Sequence, residues 1–446
     1  MRTLILAAAL SVLPLTAHAQ TPLAGPSPSV RAMAAGYKAL TVCSALRTAE
    51  AAGGTRTLES VEANELAGIY PELDGLVREM AVEIDRNRVS VAWDEAMPPR
   101  VAQFNGNGCV IMPVGWDSPT IGVRVGAPLP EMDDLPAGEP QGNVALLNEA
   151  VEQAFEGGYG EGVNTTAVLV LQDERVVAEE YATGFDRNTP QRTWSVGKSL
   201  AGTIIGAAVH RGEAEVNASA AIADWSRPGD PRRRITLDQL MRMASGLTSD
   251  TAGNRTDALY FGGVGIDEQA TTWPLIAPPG TRYRYANNDT LLAVMAIAPT
   301  FQRHPPADLF RRLGMYDTWA ETDWRGNYML SSQVWTTARD LARFGRLYLN
   351  DGVVGGERIL PEGWRDYVST PSGPQPTGEQ GYGATFWLFN KSEGIPADAI
   401  SANGNRGQYV IIVPSRNIVI VRRGEDPTGK RFDFIAFTRD VLAALE

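Results

Sequence analysis

The apolar and polar positions of the chain predict two β-hairpins that lie far apart in the sequence. Apolar runs separated by short polar turns mark one hairpin at 167–178 and the other at 407–421. A helix is predicted over Phe432–Leu445, and the pattern between the hairpins is mostly helix and loop. A sheet built from the two ends of a domain, with a helical insertion between them, gives an α/β fold in two lobes. Active sites commonly lie in the cleft between such lobes.

The first part of the chain has a different pattern and is interpreted as an N-terminal extension. Helices are predicted over Val30–Glu50 and Leu73–Arg86, and a strand over Val89–Trp93. Repeated prolines from Pro113 to Pro140 indicate an extended linker. The predicted units are the extension, the Pro-rich linker and the main domain, at 20–112, 113–145 and 146–446. The extension would either cap the cleft or stabilise the fold, and the second role is favoured.

Residues 1–19 have the pattern of a secretory signal peptide. Arg2 precedes an apolar stretch, Leu4–Leu15, and a small-x-small sequence ends the segment. A membrane anchor is the alternative, but this stretch is shorter than the roughly 20 residues that a span needs, and Pro14 interrupts it. We therefore expect a periplasmic or secreted protein without a membrane span.

The overall charge argues against a nucleic-acid partner. The 446 residues include 40 Lys and Arg against 52 Asp and Glu, a formal charge of −12. A negative protein repels phosphate backbones unless one face is basic, and the short basic run Arg232–Arg234 contains no aromatic residue. We expect a small-molecule partner, and the sequence carries no signal for an oligomeric state.

The two cysteines predict a disulfide between Cys43 and Cys109. In an oxidising compartment an even number of cysteines favours a bridge, and two buried thiols are the alternative. A zinc site is disfavoured because such sites use closely spaced pairs of cysteines.

The histidines exclude several kinds of catalytic site. Of three histidines, His18 lies in the predicted signal, and His210 and His304 have ordinary structural positions at a helix end and in a loop. The sequence contains no HExxH, GxSxG or GxGxxG pattern, so zinc proteases, Ser-His-Asp hydrolases and Rossmann dehydrogenases lose their main support. We expect no metal or cofactor, and any nucleophile must use a base other than histidine.

Ser195 and Lys198 form the first candidate for such a site. They lie three positions apart at the start of an apolar helix, Leu200–Val209, so they share one helix face and can touch. A lysine in a dry cleft has a lowered pKa and can accept the proton of a serine hydroxyl. The helix start also offers free N–H groups to a substrate oxygen. The alternative is an N-cap serine beside a surface lysine.

Tyr285 and Asn287 form the second candidate, in a loop rich in polar residues. The phenol could relay a proton if a nearby ammonium depressed its pKa, and the amide could hold a substrate carbonyl. A turn in which the amide satisfies backbone groups is the alternative.

In order and spacing, these motifs resemble the penicillin-recognising serine hydrolases of the class C β-lactamase type. That group includes family VIII carboxylesterases, D-alanyl-D-alanine peptidases and 6-aminohexanoate-dimer hydrolases. The resemblance spans about 150–446 and includes further segments similar to the scaffold of the group, among them Ile235–Leu240, Ala244–Leu247, Leu313–Met315, Thr337–Gly345, Gly381–Gly383 and Gly404–Gln408.

The resemblance implies a β-lactamase/transpeptidase-like fold, with an antiparallel sheet flanked by helices, a helical lobe and the N-terminal extension. It implies Ser195 as the acylated nucleophile, Lys198 as its activator and Tyr285 as partner base and proton donor to the leaving group. Asn287 would contact the substrate amide or the lysine. The backbone N–H groups of Ser195 and Gln408 would form the oxyanion hole.

The third motif departs from the pattern of the group. The group usually has Lys or His at its first position, where this chain has Asn405 followed by Arg406. The cation that would bind a substrate carboxylate is therefore missing or supplied by Arg406. This departure favours an exported hydrolase of small esters or amides over a β-lactamase or D-alanyl-D-alanine peptidase. A binding or sensor protein that has kept the fold without turnover is the rival class.

Overall fold

The structure is a computed structural model that describes residues 25–116, 134–248 and 257–446. The predicted signal peptide and residues 117–133 of the predicted linker lie outside the described residues. Within the described ranges, no helix combines the length and the apolar character that crossing a bilayer requires.

The extension folds as three helices packed with a small antiparallel sheet. Its elements are α1 Pro28–Ala51, α2 Leu58–Ala63, α3 Pro71–Glu79, β1 Val82–Asp85, β2 Arg88–Val91, β3 Arg100–Phe104 and β4 Cys109–Ile111. The strands are ordered β1-β2-β3-β4, and α1 packs along β2 and β3. A disulfide joins Cys43 of α1 to Cys109 of β4, with their Cα atoms 6.1 Å apart. The predicted bridge is therefore present, and it ties the central helix to the last strand.

One predicted helix of the extension is wrong in its second half. The helix expected over Leu73–Arg86 ends at Glu79, and the following Val82–Asp85 forms β1. This segment pairs with Arg88–Val91 in an antiparallel hairpin. Pairing with a neighbouring strand decides the structure of a segment as short as this one.

The main domain contains the remaining elements in the described ranges. The helices are α4 Val144–Glu156, α5 Val196–His210, α6 Leu237–Met241, α7 Asp257–Tyr260, α8 Ile266–Gln269, α9 Asn287–Ile297, α10 Pro306–Arg312, α11 Ala338–Leu349, α12 Trp364–Ser369 and α13 Phe434–Ala444. The strands are β5 Thr165–Gln172, β6 Arg175–Tyr181, β7 Gln191–Arg192, β8 Thr318–Ala320, β9 Val334–Thr336, β10 Val353–Val354, β11 Glu357–Arg358, β12 Gly381–Tyr382, β13 Trp387–Leu388, β14 Ile400–Gly404, β15 Gln408–Val413 and β16 Ile418–Gly424.

An antiparallel sheet assembled from both ends of the main domain forms its centre. Its order is β12-β13-β14-β15-β16-β5-β6, so the last hairpin pairs with the first along β16 and β5. All residues of β5, β15 and β16 are buried. Helices α4 and α13 pack together beside β5, and α11 packs against β5, β15 and β16. The two predicted hairpins and the sheet built from the two ends are confirmed.

Helix α5 joins the central sheet to the helical part of the domain. It contacts α9 of the helical part and β14 and β15 of the sheet. Nearly all of its residues are buried, which its run of small and apolar side chains allows. The start of α5 therefore lies where the two parts of the main domain meet.

Candidate active site

Ser195 lies immediately before the first turn of α5. Trp194, the preceding residue, has a φ of +50°, a left-handed conformation that is unfavourable for a bulky side chain. Ser195 occupies the N-cap position, but its side chain makes no capping hydrogen bond. The hydroxyl is therefore not used to cap the helix, which argues against the simple N-cap interpretation.

Lys198 is buried beside this hydroxyl and is only 1% exposed. Its Nζ lies 2.9 Å from Ser195 Oγ, 2.5 Å from Asn287 Oδ1 and 2.9 Å from the carbonyl oxygen of Ser331. The alternative of a surface lysine is thereby wrong. Asn287, the first residue of α9, contacts the lysine, which is one of the two roles considered for it.

The surroundings of Lys198 favour its neutral form. Burial, together with the smaller effect of the positive charge of Arg192, lowers the pKa of Lys198 from 10.5 to about 7. Within the described part of the chain, no carboxylate lies within ion-pair distance of the amine. The amine is therefore available as a base near neutral pH.

The three neighbours of Lys198 also fix where its lone pair points. A neutral amine has two N–H donors and one lone pair, and the oxygens of Asn287 and Ser331 can only accept. Both N–H groups are thus directed to these two oxygens. Since the hydroxyl of Ser195 is the one neighbour that can donate, the lone pair faces the serine proton.

Tyr285 also contacts the serine, with its hydroxyl hydrogen-bonded to Ser195. The Nζ of Lys198 lies 5.1 Å from the centre of the tyrosine ring. Burial raises the pKa of Tyr285 above its usual value. The condition set for a proton relay, a nearby ammonium that depresses this pKa, is therefore not met, because burial also drives the lysine toward neutrality. Tyr285 is a neutral phenol that can donate a hydrogen bond.

The third predicted segment reaches the site only in part. Asn405 lines the cavity beside Ser195, together with Asn403 and Gly404 at the end of β14. A Cβ added to Gly404 would lie 2.3 Å from the carbonyl oxygen of Thr193, so the strand end packs directly against the backbone before the serine. Glycine is required at this close approach.

Arg406 and Gln408 do not line the cavity, which corrects their predicted place in the site. Arg406 is 5% exposed and forms an ion pair of 2.8 Å with Glu425. The Gln408 amide is fully buried and accepts a hydrogen bond from Arg423. A buried guanidinium must find acceptors, and Arg406 finds them in Glu425 and in carbonyl oxygens of the extension.

The cavity at Ser195 has a volume of about 590 Å³. Besides Ser195 and Tyr285, its lining includes an acidic, an aromatic and a basic residue that sequence reasoning missed, namely Glu379, Trp387 and Arg431. Arg431 belongs to the connection between β16 and α13, and its side chain is exposed. Glu379 lies in a loop, Trp387 in β13 and Arg431 in the connection just named, and all three are far along the chain from Ser195, so no local pattern connects them to the serine.

Comparison with known proteins places the main domain among hydrolases. A 6-aminohexanoate-dimer hydrolase from Paenarthrobacter ureafaciens is 27% identical over 307 residues, which cover 59% of this chain and 73% of that protein. A family VIII carboxylesterase has a similar structure, with a TM-score of 0.55 at 16% identity, covering 71% of this chain and 99% of the other. A penicillin-binding protein homologue from Caulobacter crescentus has a TM-score of 0.54 at 17% identity, covering 69% and 99%.

The similarity to these structures shows a shared fold. Residues 149–443 match the family model described as Beta-lactamase. Members of this family are serine hydrolases that act on amide or ester bonds. Since the match covers more than half of the chain, the protein belongs to the Beta-lactamase family and has its β-lactamase/transpeptidase-like fold.

Proposed function

We propose that the protein is an exported serine hydrolase that cleaves small amide or ester bonds through an acyl-serine intermediate. The observation that carries this proposal is the 2.9 Å contact between the Lys198 amine and Ser195 Oγ. Burial without a carboxylate partner in the described residues lowers the pKa of this amine to about 7. A nucleophile with a base of this pKa suits acyl transfer near neutral pH.

In the proposed reaction, Ser195 Oγ attacks the substrate carbonyl while Lys198 takes the hydroxyl proton. As the carbonyl carbon loses its amine or alcohol, Tyr285 donates a proton to that leaving group and is reprotonated from Lys198. Water then attacks the acyl-serine by the reverse proton transfers and releases the acid. The raised pKa of Tyr285 keeps the phenol protonated and able to donate.

The oxyanion would be bound by the backbone N–H groups of Ser195 and Asn405. Both residues line the cavity, and in the described part of the chain neither N–H has a protein acceptor. Preorganised donors of this kind stabilise the charge that develops on the carbonyl oxygen. Asn405 replaces Gln408 in this role because Gln408 lies outside the cavity lining.

The cavity favours a polar substrate, because an exposed cation and an exposed anion, Arg431 and Glu379, both line it. The relative from Paenarthrobacter ureafaciens is named for the 6-aminohexanoate dimer, and a linear amide of this type is the first substrate that we propose. A β-lactamase or D-alanyl-D-alanine peptidase activity is the second candidate. It is favoured by Arg431, since a guanidinium at the cavity can bind the substrate carboxylate that Arg406 cannot reach.

Export is proposed from the signal pattern of residues 1–19. The Cys43–Cys109 disulfide supports it, because such bridges persist in oxidising compartments such as the periplasm. N-terminal sequencing of the protein recovered from the periplasm would test it. Recovery of the full chain with Met1 from the cytoplasm would contradict it.

The experiment that tests the catalytic proposal is intact-mass analysis after reaction with a fluorophosphonate, followed by peptide mapping. We expect one adduct per chain on Ser195, and none in Ser195→Ala. Ser199→Ala is the matched control, because this serine lies one turn further along α5 and donates its hydroxyl to the Thr385 carbonyl. The control should react like the wild type. A folded wild type without an adduct would favour a binding or sensor protein, and adduct formation without multiple turnovers of any amide, ester or β-lactam would do the same.

A further inference from the structure

One short segment of the extension contacts three loops that carry the active site. This segment, residues 64–70, is called the clasp segment below. It lies outside the part of the chain, 149–443, that matches the family model. In the described residues, the cavity at Ser195 has no lining residue from the extension.

The first contact holds the loop that follows β14. The guanidinium of Arg406 donates hydrogen bonds to the carbonyl oxygens of Asn64, Ala67 and Gly68, at 2.9, 2.9 and 3.1 Å. Arg406 follows Asn405, the residue proposed to bind the oxyanion. Three carbonyls of the clasp segment thus fix the residue next to an oxyanion donor.

The second contact holds the connection between β16 and α13. The backbone N–H of Thr428 donates to the Gly68 carbonyl at 2.7 Å, and its hydroxyl donates to the Ile69 carbonyl at 2.9 Å. Gly68 packs so closely on Pro427 that an added Cβ would lie 2.7 Å from the proline Cβ. Arg431, which lines the cavity, follows three residues after Thr428.

The third contact supports the residue before the nucleophile. The ring of Tyr70 meets that of Trp194 edge to face, with their centres 6.4 Å apart and their planes at 87°. The guanidinium of Arg192 lies 3.7 Å from the Trp194 ring centre. Trp194 has the unfavourable φ of +50°, which persists only where neighbours hold it.

From these contacts we infer that the clasp segment is a positioning element of the active site, which sets Ser195, Asn405 and Arg431 relative to one another from behind. The inference rests on the proposed function, since it assigns these residues to one reaction. It gives the extension a third role beside capping the cleft and general stabilisation. The clasp segment acts on the substrate only through the loops that it holds.

The test compares Gly68→Ala with Gly53→Ala. Both glycines lie in the extension and have left-handed φ values, +63° and +76°, so both substitutions strain the backbone. Only Gly68 presses on the main domain, because a Cβ at Gly53 would have no neighbour within 4 Å. The alanine at Gly68 should push the clasp segment away from Pro427, whereas the alanine at Gly53 should leave all three contacts intact.

The readouts are the final number of fluorophosphonate adducts per chain and the rate constant of their formation. Both variants should reach one adduct per chain, which shows that the molecules are folded. The rate for Gly68→Ala should fall on the order of tenfold, and kcat should fall more than KM rises, because misplaced groups cost rate more than binding. Gly53→Ala should stay within about twofold of the wild type.

The inference is overturned if folded Gly68→Ala reacts at the wild-type rate, or if both variants slow equally. Should Gly68→Ala fail to fold, Arg406→Lys is measured with the same readouts and should slow adduct formation in the same way. A lysine keeps the positive charge, but its single ammonium cannot reproduce the planar guanidinium that donates to three carbonyls. Arg343→Lys is its control, because Arg343 is equally buried and pairs with Asp340 away from the cavity. Failure of the wild type to react at all would instead refute the proposed function.

Discussion

Two lysines of this protein are equally buried, yet only one of them has the environment of a catalytic base. Lys38 in the extension and Lys198 in the main domain are each 1% exposed. The Nζ of Lys38 lies 2.8 Å from a carboxylate oxygen of Glu62 and 2.9 Å from the Met80 carbonyl. Lys198 contacts a hydroxyl, an amide oxygen and a carbonyl, and has a guanidinium nearby.

The difference shows that burial alone does not make a lysine into a base. A carboxylate beside a buried amine stabilises the ammonium form and offsets the loss of water. Where neutral acceptors and a like charge surround the amine instead, the ammonium is disfavoured and the lone pair becomes available. In this protein the counter-charge decides which lysine has a structural role and which is proposed to act in chemistry.

The largest expected effect separates the two lysines by substitution with alanine. Lys198→Ala should lower kcat/KM by about 10³-fold, because it removes the proposed base. Lys38→Ala should keep activity within a few fold but lower the free energy of unfolding by about 2 kcal/mol, since it leaves a cavity at a buried side chain and removes hydrogen bonds to Glu62 and to the Met80 carbonyl. Steady-state kinetics and chemical denaturation of both variants measure these changes.

The comparison would fail if the two effects were exchanged or equal. Near-normal turnover by folded Lys198→Ala would show that the serine is activated by another group. A loss of activity in Lys38→Ala as large as that in Lys198→Ala would show that the counter-charge does not decide which of the two buried lysines acts in catalysis.

The next effect comes from giving Lys198 a carboxylate partner like the one that Lys38 has. Asn287→Asp places a carboxylate at the oxygen that lies 2.5 Å from Lys198 Nζ, which should raise the pKa of the amine and lower the rate at pH 7 by about 10²-fold. The rate should recover as the pH rises, because the amine then loses its proton. Asn287→Ala, which removes the acceptor without adding charge, is the control and should not move the pH midpoint upward. A midpoint unchanged in Asn287→Asp would contradict the comparison.

The smallest effect concerns the guanidinium near Lys198. The charge of Arg192 lowers the pKa of Lys198, so Arg192→Gln should raise that pKa and slow the reaction a few fold at pH 7. Arg192→Lys keeps the charge and should keep the midpoint of the pH profile. Profiles of kcat/KM for the three proteins test this, and an identical midpoint in Arg192→Gln would show that the charge has no effect on the base.

The sequence predicts the parts of the structure that depend on local spacing. The separation of Ser195 and Lys198 by three residues placed them on one helix face, and two apolar runs around a polar turn placed β15 and β16 in one hairpin. The disulfide was predictable because the sequence contains only two cysteines, which allow a single pairing. Each of these predictions required only neighbours in the sequence or a choice with few alternatives.

The rest depends on contacts between distant segments. Arg406 is hydrogen-bonded to carbonyls of the clasp segment, more than 300 residues earlier in the chain, and does not line the cavity. No local sequence pattern predicts this contact. Arg431 lines the cavity from the connection between β16 and α13, for which the sequence predicts only a polar loop. The direction in which the pKa of Tyr285 shifts could not be predicted from the sequence, since it depends on burial and on the neutral state of Lys198.

The most direct test of the central claim is the pH dependence of fluorophosphonate addition to Ser195. Below its pKa the amine of Lys198 is protonated and cannot accept the serine proton, so the rate should fall about tenfold per pH unit at acid pH. It should level off above a midpoint near 7, the pH set by the pKa of about 7 for Lys198. A rate that is constant from about pH 5 to about pH 9, or a midpoint that persists in Lys198→Ala, would contradict the assignment of this lysine as the base.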